Sequence, residues 1–282
     1  MIRIVALIIL FMAMIFAVIA SVAGTKSSGG KNPVNEFLHG LTRSLDKADR
    51  MAPDLSGAFE KVELPLPKIV GARVDPAGQA WRAQDFAGQD LGGQSHAGAS
   101  FAGALLRETI FTNALLDRAS FEGAEAERAI LRKARLAGAR LDASALAGAD
   151  FSDADLEGAT LRAAGLAGAI FARADLTKAS LSGARAEGAD FSGVYATGAK
   201  MTGARLKQAT FTGAELKGAR FARADLAGAT FAGAKLDGAD FSGASIRGAD
   251  LSAALGLTTA QLAGACADER TRLPDGVEAP RC

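Results

Sequence analysis

A register of five runs from Phe86 to Leu251, 34 pentads in all, with Phe or Leu at most marked positions, as in Phe101, Leu106, Phe111, Leu116 and Phe121. Two residues before each marked position the sequence places Ala, and only Gln84, Gln89, Gln94, Thr109, Ser144 and Val194 depart from that rule. An α-helix cannot use such a pattern, because five residues at about 100° each leave successive repeats about 140° apart and scatter the apolar set. A flat strand fails too, since a step of five sends alternate large residues to opposite faces. What remains is a chain that turns a corner once per pentad. One small and one large side chain then point inward from every side.

The number of sides is set by spacing the inward residues by 20. One column holds Leu91, Phe111, Leu131, Phe151, Phe171, Phe191, Phe211, Phe231 and Leu251, and another holds Phe101, Phe121, Leu141, Leu161, Leu181, Met201, Phe221 and Phe241. These columns lie two sides apart. Beyond Phe86, the other two carry Leu, Ala, Ile and His96, and no Phe. Four sides per coil give this separation, whereas three would mix the columns. Stacked at β-spacing, the coils make a rod of about 40 Å, an all-β solenoid.

Pentads such as Ala149-Asp150-Phe151-Ser152-Asp153, Ala154-Asp155-Leu156-Glu157-Gly158 and Ala239-Asp240-Phe241-Ser242-Gly243 resemble the A(D/N)LXX signature of the pentapeptide-repeat family. The resemblance implies a right-handed quadrilateral β-helix over residues 81–255. It also raises a function, because some members of that family imitate a DNA duplex with an acidic rod and protect gyrase. Between residues 82 and 251, however, 20 Lys and Arg face 20 Asp and Glu, so this rod is neutral. A DNA-sized negative field is missing, and no nucleic-acid partner is expected.

Ahead of the repeats, Ile4 to Ala20 are all apolar and come after a short N-terminus carrying Arg3. The length suits a spanning anchor, while Ser21-Val22-Ala23 offers the small residues of a signal-peptide cleavage site, so residues 1–23 read as one or the other. Arg3 is nearly balanced by Lys26 and Lys31, and the repeats are expected outside the cytoplasm, at the membrane or in the periplasm. Residues 24–32 form a Gly- and Ser-rich linker. Within residues 33–80, Val34, Phe37, Leu38, Leu41, Leu45 and Ala48 fall on one face of an amphipathic helix, and Pro53, Pro65, Pro67 and Pro76 break up the remainder of the segment.

Residues 256–282 leave the register of five, and Thr258 is placed to cap a short helix that closes the rod. This segment holds the only cysteines, Cys266 and Cys282. In an oxidising compartment a disulfide is the first expectation, with two free thiols as the alternative. Without a neighbouring His they make no zinc site, and no cofactor is expected. At the other end, Gln84, Gln89, Gln94 and His96 occupy inward positions of the first coil and read as a cap, with His96 partly solvated rather than a ligand.

No HExxH, GxSxG or P-loop is present, and the carboxylates recur at outward positions, so neither an enzyme nor a small-molecule substrate is expected. A non-catalytic scaffold or interaction module of the bacterial cell envelope fits best. A candidate contact is apolar: Leu105, Ile110, Leu115 and Ile130 cluster outward in the first coils, and Ile170 shares a side with Ile110 and Ile130. Clustered outward apolar residues imply a cover. The amphipathic helix is the first candidate, and a second copy or a protein partner is the rival.

Overall fold

Five backbone N–H groups per pentad need acceptors, and the pentad around Phe191 shows where each one goes. Ala189 N–H closes a turn onto the Ala186 carbonyl at 3.2 Å. Asp190 N–H reaches down to Ala169 O at 2.9 Å, while Phe191 and Gly193 N–H reach up to Thr210 O and Thr212 O at 2.7 and 2.8 Å. The fifth donor, Ser192 N–H, is bound by the Asp190 carboxylate at 2.9 Å. The aspartate in the repeat thus accepts from the one backbone donor that the coils do not use. Asp150, Asp155, Asp175, Asp240 and Asp250 each accept from the residue two positions later in the same way.

Replacing Asp190 by Ala should therefore cost about 1 kcal/mol, by the usual net worth of such a bond. Asn, which keeps the acceptor, should recover most of it. Chemical denaturation of the two variants tests this, and equal losses for Ala and Asn would exclude the role.

The computed structural model describes residues 81–282, all within the unit Arg73–Cys282. The segments 1–23, 24–32 and 33–80, with the expected membrane segment and amphipathic helix, lie outside the described residues. Each side of a coil contributes a single bridge residue rather than an extended strand, paired in parallel with residues 20 before and after, as Asp190 is with Ile170 and Thr210. Two-residue turns join the sides. From Ala83 to Gly248 their second residue has positive φ, glycine in most turns but Arg118, Lys133 or Arg223 in others. At Gly158 an added Cβ would meet nothing within 4 Å, so only the left-handed backbone favours glycine there.

Inside, the two phenylalanine columns stand as the spacing predicts. Phe151, Phe171, Phe191, Phe211 and Phe231 stack with centroids 4.8–5.0 Å apart and planes within 8° of parallel. Phe211 and Phe221 meet across the interior edge to face at 5.6 Å. With rings on two sides, the intervening inward position must stay small, and Ala189, Ala199 and Ala209 are fully buried. Two of the exceptions among the small positions are buried hydroxyls: Thr109 and Ser144 donate to Phe86 O and Leu141 O.

Two features differ from expectation. His96 is 1% exposed rather than partly solvated, because the Trp81 ring lies 4.9 Å away and Phe101 5.9 Å away over the end of the core. The ladder also continues beyond residue 255: Ser245 pairs with Cys266 and Asp250 with Arg272, so the offset grows from 20 to 21 and then 22 residues. After Thr258 the chain makes one 3-10 turn, Thr259–Leu262, with Leu262 buried. Gln261 ties it to the coil below by donating to Leu236 O and Ala239 O.

Candidate interaction surface

Because the inward positions beyond the first coil are committed to packing, chemistry available to a partner lies on the outside of the coils. Outward residues fall into columns 20 apart, so a side chain meets its counterparts in the adjoining coils. Among the arginines from Arg107 to Arg173, all but Arg118 use this to pair with a carboxylate 18 or 20 residues away. Arg173 and Asp153 do so through two hydrogen bonds of 2.7 and 2.8 Å, which hold the Asp153 carboxyl below its usual range. Such exposed pairs are individually weak. They set the pattern against which other cations stand out.

Charge is neutral along the rod only as a total. Residues 82–160 carry 8 Lys and Arg against 12 Asp and Glu, while residues 161–251 carry 12 against 8. Near the C-terminal end, Lys207 and Gln208 on one wall and Arg247 and Arg270 on the other flank a surface notch of about 650 Å³ with Ala227 and Gly228 between them.

The apolar candidates do not form one stripe. Leu105, Ile110 and Leu115 occupy three successive sides of a coil, and Ile130 pairs directly above Ile110. Asp150, 8% exposed, then stands between Ile130 and Ile170. Burial pushes its carboxyl up, but hydrogen bonds from Ser152 and Arg132 outweigh that and hold it below the usual range. Leu105, Leu115 and Ile170 are only 36–37% exposed, and Ile110 and Ile130 less. Ile170 is thus separated from the rest, and what remains is a belt on the early coils.

Cys266 and Cys282 are joined as a disulfide with Cα atoms 5.4 Å apart. The bridge fastens the final residues, where Arg281 pairs with Ala267. The Arg247 guanidinium donates to both sulfurs, at 3.2 and 3.3 Å. Nearby, Asp268 anchors the same segment by accepting from Gly248 N–H at 2.8 Å and from the Thr271 hydroxyl at 3.1 Å. Burial pushes the Asp268 carboxyl up, yet these bonds and those from Arg270 prevail and its pKa falls to about 2.

A carboxyl with a folded pKa below its unfolded value stabilises fully above about pH 4 and loses that contribution as the pH falls toward 2. The melting temperature of the wild type should therefore exceed that of Asp268→Asn at neutral pH, and the gap should close as pH falls through that window. A gap unchanged at pH 2 would contradict the assignment. Among the described residues, no group of three or more His, Cys, Asp or Glu is placed to hold a metal ion, and no helix is long and apolar enough to cross a membrane.

Together the ladder and its outward chemistry define a solenoid of five-residue repeats. Two family models match: pentapeptide repeat region over residues 164–241, and pentapeptide repeats (8 copies) over residues 97–132 and 134–171. The chain belongs to the pentapeptide-repeat family, whose fold is the right-handed quadrilateral β-helix. It is 30% identical to HetL, a pentapeptide repeat protein involved in heterocyst differentiation regulation from the cyanobacterium Nostoc sp. strain PCC 7120, covering 70% of this chain and 86% of that one, with a TM-score of 0.35. It is 21% identical to a trypsin-treated form of QnrB1, a plasmid-mediated fluoroquinolone resistance protein, covering 68% of this chain and 89% of that one with a TM-score of 0.50, a likeness of fold. No curated protein matches the chain.

Sequence spacing located the columns, the cysteines and the apolar candidates. It missed the aspartates' work on the turns, which the recurrence of Asp directly before Phe or Leu could have signalled. It also missed the grouping of cations by side, since that requires sorting outward residues by 20 as the inward ones were sorted.

Proposed function

We propose that the protein is a non-enzymatic scaffold or interaction module of the bacterial cell envelope, held at the membrane through residues 1–23 with its repeats outside the cytoplasm. The observation that supports this best is the division of labour in the coil. Inward positions are spent on Ala, Leu and Phe packing, and polar groups face outward on a rigid frame. Such a frame recognises partners by its surface. The apolar run from Ile4 to Ala20 supplies the membrane segment. A DNA-mimic role is disfavoured, because an acidic half is succeeded by a basic one.

Cell fractionation combined with protease treatment of spheroplasts tests the reading. The chain should sediment with membranes, or appear processed in the periplasm if the N-terminal segment is cleaved, and its C-terminus should be digested without lysis. A C-terminus protected until lysis would overturn it.

A further inference from the structure

The arginine pairing of the early coils breaks down at one corner. On the side that carries Lys200, this residue is bridged directly to Arg220; on the next side Arg185 is bridged directly to Arg205. Arg223 occupies the turn between these two sides. All five side chains are exposed, and among the described residues none of them has an ion pair within 4.0 Å. Like charges placed opposite one another on neighbouring strands repel and destabilise the ladder. The ladder continues from Arg205 to Asp225 and from Arg220 to Asp240, but Asp225 pairs with Lys207 at 3.2 Å and Asp240 accepts from Ser242 N–H at 2.9 Å.

The same corner is smooth in the coils just before. Ala143, Ala145, Ala163 and Gly165 replace long side chains there, and Asp142 and Arg162 neutralise one another at 2.9 Å. A convex edge with low relief and a concentrated positive charge suits a flat anionic surface. It offers no concave groove for a strand and no exposed aromatic on these two sides for stacking bases. We propose that this corner, carrying Arg185, Lys200, Arg205, Arg220 and Arg223, docks the rod against a membrane surface rich in anionic lipid. The proposal rests on the envelope reading above, and extends it from tethering to a defined orientation of the repeats. The attraction acts within about a Debye length, so it is salt-sensitive and needs the corner close to the headgroups.

Lysine labelling of the full-length protein reconstituted in vesicles reads the contact directly. Lys200 reports the corner, and Lys133, exposed in the turn between the sides of Ile130 and Arg135 at the opposite corner, is the internal control. Relative to phosphatidylcholine vesicles, those with about 30% phosphatidylglycerol should slow Lys200 acylation roughly fivefold or more, leave Lys133 unchanged, and lose the effect in high salt. The combined variant Arg185→Ser, Arg205→Ser and Arg220→Ser should melt no lower than the wild type, since it relieves repulsion, yet lose the protection of Lys200. Equal labelling of Lys200 in the two vesicle types overturns the proposal. So does protection by duplex DNA with none by lipid, which would assign the corner to a nucleic acid. Failure of the chain to remain with neutral vesicles would count against the anchor instead, and the anionic vesicles would still report on the corner.

Discussion

Phe191→Ala is expected to be the most damaging single change in the rod, lowering stability by about 3–5 kcal/mol. Phe191 is fully buried, with parallel neighbours 5.0 Å below and 4.9 Å above, so truncation leaves a cavity that the fixed backbone ladder cannot close. Phe191→Leu should cost far less, under about 1.5 kcal/mol, because the same column already accommodates Leu91, Leu131 and Leu251. In a solenoid each coil contacts only its neighbours, so the damage should appear locally. Hydrogen exchange should accelerate first in the coils containing Phe171, Phe191 and Phe211. Equal losses for Ala and Leu would show that ring stacking and volume are not what hold the column.

Cutting the link between Cys266 and Cys282 should come next, at about 3 kcal/mol for a loop of this size. The sequence separation is only 16, and the loop contains the bridges that carry the ladder past its last regular coil, through Arg272 and Ala267. The effect should therefore be confined to the C-terminal segment. Limited trypsin digestion should cut after Arg270 or Arg272 quickly in reduced protein or in Cys282→Ser, and slowly in the oxidised wild type. Cleavage at equal rates would show that the turn at Thr259–Leu262 and the Asp268 hydrogen bonds hold the segment without help.

How far the sequence could be read depended on whether a residue's role repeats. The inward columns repeat every 20 residues, so the four sides and the two Phe stacks were legible in spacing alone. His96 was not, because its burial depends on where Trp81 lies, and an end coil has no repeat above and below to constrain it. Asp150 shows a second limit. It reads as one more outward carboxylate, yet Ser152 and Arg132 draw it into the ladder, where it separates Ile130 from Ile170. The growing offset after Leu255 is a third, since one or two added residues change no composition and leave no pattern to count. The cationic corner was hidden by a neutral total, which averages an acidic half with a basic one.

The backbone arithmetic of a pentad sets what kinds of length change the molecule can survive. Inserting or removing 20 residues keeps every inward column continuous and every donor on its acceptor, changing only the height of the rod by about 4.8 Å. Removing five is a different operation. Each pentad would still close its own turn, but everything beyond the deletion would swing by a quarter turn relative to everything before it. Phe would then fall over Leu at the junction, and Lys200 and Arg205 would no longer continue the edge marked by Ala145 and Gly165. The chain can thus be lengthened like a ruler only in whole coils, while a single lost pentad turns it into a rod that points its charge in another direction.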